Sequence, residues 1–566
     1  MISMNAMISM KRTAAAGLAT ALLVALAACG GSPANEGPPD TAESLADKSS
    51  FNPQPYENLR DGGTVTTSLP ELSPQMNVWQ NDRTAYSRNV WNWYNPLLIT
   101  FTADGDPVFN PDYLTDVEQE TVDGNTRVTY TINPKATYND GTPIDWTSFE
   151  AAWKSSNGKD PAYLPAGTDG YDRITSVTRG TDDRQAVVTF DGINLWWQGL
   201  FDNLLHPQAL DPTVFNQGYV NTPHPEWGAG PYTIQNYDPQ NGSIVFERNP
   251  KWWGKPGKLD TRTFLQMDSV AAVNAFRNGQ LDAVAVNGKD QLAQVTGVPD
   301  TEIRKGPTLQ LDLFTLNGQS PILSDPQVRK AVLEAIDRRQ IAEYHFQGLN
   351  YTADPAGSLN LLPFQKGYTD NFSKVIQYDP EQAKRDLDAA GWTVGTDGIR
   401  EKNGQRLQFT YVNTGDDAIG KAVAGGTAAM LKNVGIQMDI RQVPTSDFSK
   451  IVTGRQFDMF YSGASQSDPF GLAYICQLYC SDSQFIRSGV NDPKNDALIR
   501  SVNALPTPEE QYAKAAEAET AAFATYGVMP TVNLVGIYAV KNGLANSGAG
   551  RFFSTPPENI GWQKQG

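Results

Sequence analysis

The chain changes its hydrophobic rhythm near residue 316. From about Thr64 to Phe314, short segments alternate apolar and polar positions with a period of two, which predicts half-buried strands. Arg127–Ile132, Ala186–Phe190 and Ser243–Arg248 show it most clearly. Asn139-Asp140-Gly141-Thr142-Pro143 is a turn signal, and Thr147-Ser-Phe-Glu150 reads as a capping box that opens a helix through Ala151, Ala152 and Trp153. Beyond Leu316 the period lengthens to that of helices. Asp325-Pro326 places an N-cap before a proline at the first helical position, Val328, Ala331, Val332, Ala335 and Ile336 share one face, and Gly348 can end that helical region. Asp379-Pro380 repeats the device with Ala383, Leu387 and Ala390 inward and Gly391 as the stop. Thr507-Pro508-Glu509-Glu510 opens an alanine-rich helix that closes near Gly527.

Between these helices lie strand-like Leu407–Val412 and Gln437–Val443, an alternation that predicts an α/β lobe. The apolar, β-branched run Val528–Val540 is expected to return to the first lobe. Two crossings, near Leu311–Asn317 and near Tyr526–Leu534, would then form a two-segment hinge. A chain of 566 residues exceeds one ordinary core, so at least two lobes are expected.

The first 28 residues stand apart. Lys11 and Arg12 precede a mostly apolar run from Ala14 to Ala28, too short for a confident membrane span, and Leu26-Ala27-Ala28 leads into Cys29. The pattern resembles a lipobox, which implies a cleaved signal peptide at 1–28 and lipid on Cys29. An ordinary secretory leader with an incidental cysteine is the other reading. A Gly-, Pro- and Ser-rich stretch, with Cys29 counted into a 29–55 segment, reads as a flexible tether.

The formal charge of −17 argues against nucleic acid and against docking on anionic lipid. Three scattered histidines, His206, His224 and His345, and two cysteines besides Cys29 leave no plausible metal site. Cys476 and Cys480 favour a local disulfide in an exported protein, with a pair of free buried thiols as the alternative. No nucleophile elbow, zinc-protease helix or phosphate loop is present, and Gly228-Ala-Gly230 lacks dinucleotide-fingerprint spacing, so no catalytic residues, no enzyme activity and no cofactor are expected.

Five elements in order carry a resemblance. They are Tyr138-Asn-Asp-Gly-Thr-Pro-Ile-Asp-Trp-Thr-Ser-Phe-Glu150, Gly228-Ala-Gly-Pro-Tyr232, Phe246-Glu-Arg-Asn-Pro-Lys-Trp-Trp253, Val328–Arg338, and Tyr378-Asp-Pro-Glu-Gln-Ala383 with Ala389-Ala-Gly-Trp392. Together they resemble the large peptide-binding class of extracellular solute-binding proteins that serve ABC importers, family 5. The resemblance implies a periplasmic-binding-protein-like two-lobe α/β fold of the large cluster C type, with an extra β-rich subdomain on the first lobe. It divides the chain into lobe I at 56–100, 226–315 and 527–566, the subdomain at 101–225 and lobe II at 316–526. It implies a monomer that captures an oligopeptide or similar small solute at the lobe interface and hands it to permease subunits with cytoplasmic ATPases, at the outer face of the cytoplasmic membrane. A sensor, assembly factor or chaperone on the same scaffold, or a carrier of a metal chelate, haem or oligosaccharide, is the alternative.

In that family a second-lobe loop supplies a carboxylate to a peptide α-amine. Here the corresponding stretch runs from Ser462 to Phe470, with Gln466 where the carboxylate often stands, so Asp468 must substitute or the ligand is not a free-amine peptide. Ser465, Gln466 and Asp468 are the expected contacts on that side. On the first lobe Trp79, Asn89, Trp91, Trp93, Tyr94 and Asn95 cluster, of which Trp79, Tyr94 and Asn95 are the expected contacts. Trp252-Trp253 and His345 read as packing residues.

Overall fold

The computed structural model describes residues 39–41, 44–45, 50–466, 468–483, 487–490 and 492–564. The leader and Cys29 lie outside the described residues. Among those described, no helix is long and apolar enough to cross a membrane.

Alternation predicts burial well in the strands. Asn125–Ile132 and Gln185–Phe190 each bury every second side chain. They form the centre of a four-stranded antiparallel sheet with Leu114–Val122 and Ile174–Arg179 at its edges. Helix Trp146–Ser156 lies on this sheet and brings Phe149 to 5.0 Å from Tyr130 between ring centroids. Its cap differs from the expectation: Asp145, not Thr147, is the N-cap, its Oδ1 accepting from the Thr147 backbone N–H at 2.9 Å. Both residue types cap helices, and Trp146 already has helical geometry, so the start falls two residues earlier. The Asp325 and Asp379 caps and their prolines stand as expected, opening Pro326–Glu334 and Pro380–Ala389. The first of these helices stops before Asp337, which caps a separate helix, Arg338–Phe346.

A single ten-stranded sheet runs through both lobes. Its order is Gln437–Val443, Gln408–Thr414, Met459–Ser465, Thr301–Leu316, Val528–Lys541, Ala283–Ala285, Thr64–Leu69, Thr261–Gln266, Ser243–Arg248 and Tyr232–Asp238. The two long central strands pair antiparallel, with Leu311 opposite Asn533 and Thr315 opposite Val528. Their register shifts between Pro307 and Leu311 and again between Asp312 and Leu313. On one side of this spine a core built around Trp91, Tyr94, Tyr232 and Phe246 fills the first lobe. On the other, Phe314, Val328, Leu387, Val423 and Phe523 belong to the second-lobe core.

The turns that carry the family resemblance lock to one another. Gly141 has φ +95°, the left-handed region that glycine enters without strain. Asn139 Nδ2 donates to the Pro225 carbonyl at 2.8 Å, and Asn249 Nδ2 donates to Asn139 Oδ1 and to the Gly230 carbonyl at 2.9 and 2.8 Å. The N–H groups of Ala229 and Gly230 both donate to the Tyr94 carbonyl at 2.9 Å. A Cβ on Gly230 would lie 2.8 Å from the Tyr94 carbonyl carbon, so only glycine lets the turn sit against the end of helix Ala85–Tyr94. Trp252 and Trp253 pack on Tyr113, and each indole N–H donates to a backbone carbonyl.

Candidate functional site

A cavity of about 370 Å³ lies between the lobes. The first lobe contributes the Val78–Trp79 turn, Arg83, the exposed side of helix Ala85–Tyr94 through Arg88, Asn89 and Asn92, and the loops carrying Asp169, Tyr171, Asp202 and Asn203. The second lobe contributes Leu359, the strand end at Ala464 and Ser465, and then Gln466, Asp468 and Tyr474. Leu311 of the spine forms the floor shared by both. Lobe-to-lobe hydrogen bonds close around the space. Ser449 Oγ donates to Glu71 at 2.8 Å, Arg487 donates to the Asn81 carbonyl at 3.0 Å, and the Trp196 indole donates to Gln511 at 2.5 Å.

Of the residues expected from sequence, Trp79, Ser465, Gln466 and Asp468 come together on this cavity, as does Asn89. Tyr94 and Asn95 do not. Tyr94 is 1 % exposed, its hydroxyl donating to the Pro223 carbonyl at 2.7 Å, and Asn95 is 4 % exposed, its amide turned back to the Trp91 carbonyl. The helix carrying Asn89 and Asn92 presents its opposite side to the lobe core, and Tyr94 is on that side. Cys476 and Cys480 are joined as a disulfide. With Asp482 they are the one group of potential metal ligands among the described residues, and the bond between the sulfurs removes both thiolates from that role.

Asp468 is held in place by its own loop. Its Oδ1 accepts from the Phe470 N–H at 2.8 Å, while the Tyr474 hydroxyl lies 2.7 Å from Oδ2 and 3.0 Å from the Gly199 carbonyl. Burial, reinforced by Asp468, raises the Tyr474 phenol well above its ordinary value, so it remains a donor. The neighbouring wall rests on Glu519, a buried carboxylate that accepts from the Leu359 N–H, Ser358, Asn371 and Tyr479. Gln466 Nε2 donates to the Asn360 carbonyl at 2.8 Å, leaving its Oε1 without a protein partner among the described residues.

The charged side chains of the first-lobe wall were not singled out from sequence. Arg88 is ion-paired with Asp202. Burial pulls Arg88 down, but Asp202, with Tyr474 and Asp468, more than offsets this and the net shift is upward. Asp169 accepts from the backbone N–H of Gln477 across the lobe boundary, and burial pushes it up to about 8. Arg83 is pushed down to about 10, first by burial and then by Arg88. Trp79 Nε1, Arg83 Nε, Asn92 Oδ1 and both side-chain polar atoms of Asn203 have no hydrogen-bond partner among the described residues. The polar and charged side chains that line both walls suit a polar guest.

A second cavity of about 310 Å³ shares Arg88, Asn89, Asn92 and Asp202 with the first and continues into the first lobe past Trp93 and Phe264. His345 is a packing residue, as expected. Its Nε2 lies 2.9 Å from the Tyr461 hydroxyl and 3.6 Å from Asp312, and burial pushes it down to about 4.

Comparison with known proteins agrees with this fold. The model of bacterial extracellular solute-binding proteins, family 5 middle region, matches residues 109–485. The oligopeptide-binding protein OppA of Mycobacterium tuberculosis is 34% identical over 517 residues, covering 90% of this chain and 86% of that protein. Among solved structures, the periplasmic EDTA-binding protein EppA superposes with a TM-score of 0.77 at 24% identity, covering 92% of this chain and 99% of that one. The oligopeptide-binding protein AppA from Bacillus subtilis, in complex with a nonapeptide, gives 0.74 at 17% identity, covering 89% and 100%.

Proposed function

Because the chain belongs to the bacterial extracellular solute-binding proteins of family 5, we propose that it is a lipid-anchored carrier that captures short peptides between its lobes and delivers them to the permease of an ABC importer. One observation carries this reading: the interlobe cavity is walled by both lobes and lined largely by polar and charged side chains, among them Arg88, Asn89, Asn92, Asp202, Ser465 and Asp468. Such groups suit a peptide main chain, which offers the same hydrogen bonds whatever its side chains. The full-length relative named for oligopeptide binding supports the same guest. The volume lies in the range of small-ligand sites, about 300–1,000 Å³.

Cys29 would carry the anchor and hold a monomer at the outer face of the cytoplasmic membrane. The protein binds without chemistry. Trp79, Ser465, Gln466 and Asp468 would contact the guest. Native mass spectrometry of protein purified without denaturation tests the reading. A retained mixture of short peptides supports it; a single non-peptide molecule replaces it with another cargo.

A further inference from the structure

We propose that the N-terminal segment through Asp40 and Leu45 is a wedge behind the hinge that biases the clamp toward its closed form. The inference rests on the solute-binding reading and adds to it a part of the chain that keeps the captured solute in.

The segment is stitched to the spine and to the second lobe. Asp40 joins the turn that follows helix Arg338–Phe346: its N–H donates to the Asn350 carbonyl and its carbonyl accepts from the Thr352 N–H, both at 3.0 Å. Its carboxylate meets Lys305 of the long strand Thr301–Leu316 at 3.0 Å. Lys305 Nζ also donates to the Leu349 and Asn350 carbonyls at 2.9 and 3.0 Å, and the Lys305 carbonyl accepts from the Ser50 hydroxyl. Between these grips Thr41 and Ser44 cap a helical turn reciprocally, Ser44 Oγ accepting from the Thr41 N–H at 2.8 Å and Thr41 Oγ1 from the Ser44 N–H at 3.1 Å. The turn carries Leu45, which is 2 % exposed.

The apolar cluster that buries Leu45 draws on both lobes, with Val273, Phe276 and Val284 from the first and Phe346, Leu349 and Tyr351 from the second. It lies behind the spine. Leu311 floors the cavity and Asn533 opposite it shares that face, so the next residue, Val532, projects to the other face, where it joins the cluster. Lobes that pivot on the paired strands narrow the gap on one face as they widen it on the other. Opening the cavity therefore squeezes the crevice that holds Leu45, and a filled crevice resists that motion.

Small-angle scattering on ligand-free protein and calorimetry with tetra-alanine test this on the full chain, on Leu45→Ala and on Asp40→Ala. We expect both variants to be more open in solution and to bind tetra-alanine roughly 5- to 30-fold more weakly, because only the closed fraction retains the guest. Asp40 is partly exposed, so Asp40→Ala should leave the urea midpoint unchanged, which separates a shifted lobe balance from a damaged fold. Unchanged scattering and affinity in both variants overturn the wedge while the peptide reading stands. Variants that are more closed and bind more tightly overturn it too, because the segment then holds the clamp open. Failure of tetra-alanine to bind the parent overturns the peptide reading, and the scattering comparison still decides the wedge.

Discussion

The Asp169 carboxylate of the first lobe accepts a hydrogen bond from the backbone N–H of Gln477, in the first turn of helix Ile475–Tyr479 of the second lobe. Asp169 thus caps a helix that belongs to the opposite wall of the cavity. Replacing it with alanine leaves that N–H without its acceptor at a cost of roughly 1–3 kcal/mol. Small-angle scattering should show a more open Asp169→Ala protein than the parent at the same pH.

The same residue makes closure depend on pH. Burial raises Asp169 to about 8, against an ordinary carboxylate value of 3.8. Between those values the closed form holds a proton that the open form releases, so closure is favoured at the acidic end and weakens as pH rises toward 8. Scattering between pH 5 and 9 should report progressive opening, and Asp169→Asn should flatten the profile.

Asp468 sits in the cavity wall with one oxygen accepting from the Phe470 N–H and the other from the Tyr474 hydroxyl. Asp468→Asn should weaken tetra-alanine by roughly 1.5–3 kcal/mol and leave N-acetylated tetra-alanine unchanged. Unchanged affinity for the free amine, measured by calorimetry, would remove Asp468 from ligand binding.

His345 sets a different pH response, in stability. Its folded value of about 4 lies below the ordinary 6.5, so the unfolded chain binds a proton that the folded chain refuses. Stability falls as pH drops from about 6.5 to 4, by of order 2–3 kcal/mol over that span. Asp312, raised by burial to about 7, contributes the opposite slope, losing stability as pH rises through its own window. Urea denaturation of the parent and His345→Gln at pH 7 and pH 4.5 should isolate the histidine's share.

Gly230 permits a close backbone approach in the first lobe's locked turns. Gly230→Ala drives a Cβ against the Tyr94 backbone. Overpacking of this kind costs roughly 1–3 kcal/mol, which a lowered urea midpoint with an unchanged slope would report.

The strands were legible because each alternating segment has one face on a core and one in water: Tyr130, Ile132 and Val128 are buried on the strand where their spacing places them. The long returning strand was legible from its apolar, β-branched run, and the structure pairs it with Thr301–Leu316. The cavity was only half legible. Its walls come from segments near 79–92, 167–203, 311, 359 and 464–478, and nothing local shows that Arg83 lacks a partner while Arg88 has Asp202. Tyr94 misled because aromatic density marks a packed core and a binding surface alike. Only the helix's orientation on the lobe decides which residues face outward.

Thr315 and Val528 stand opposite each other on adjacent strands. The chain therefore departs for the second lobe and comes home through neighbouring threads, one strand spacing of about 4.8 Å apart. Topologically the second lobe is a cassette, which a relative's equivalent could replace without lengthening either splice. Evolution can thus renew one wall of the cavity, with its Gln466 and Asp468, while Arg83 and Trp79 stay on the other.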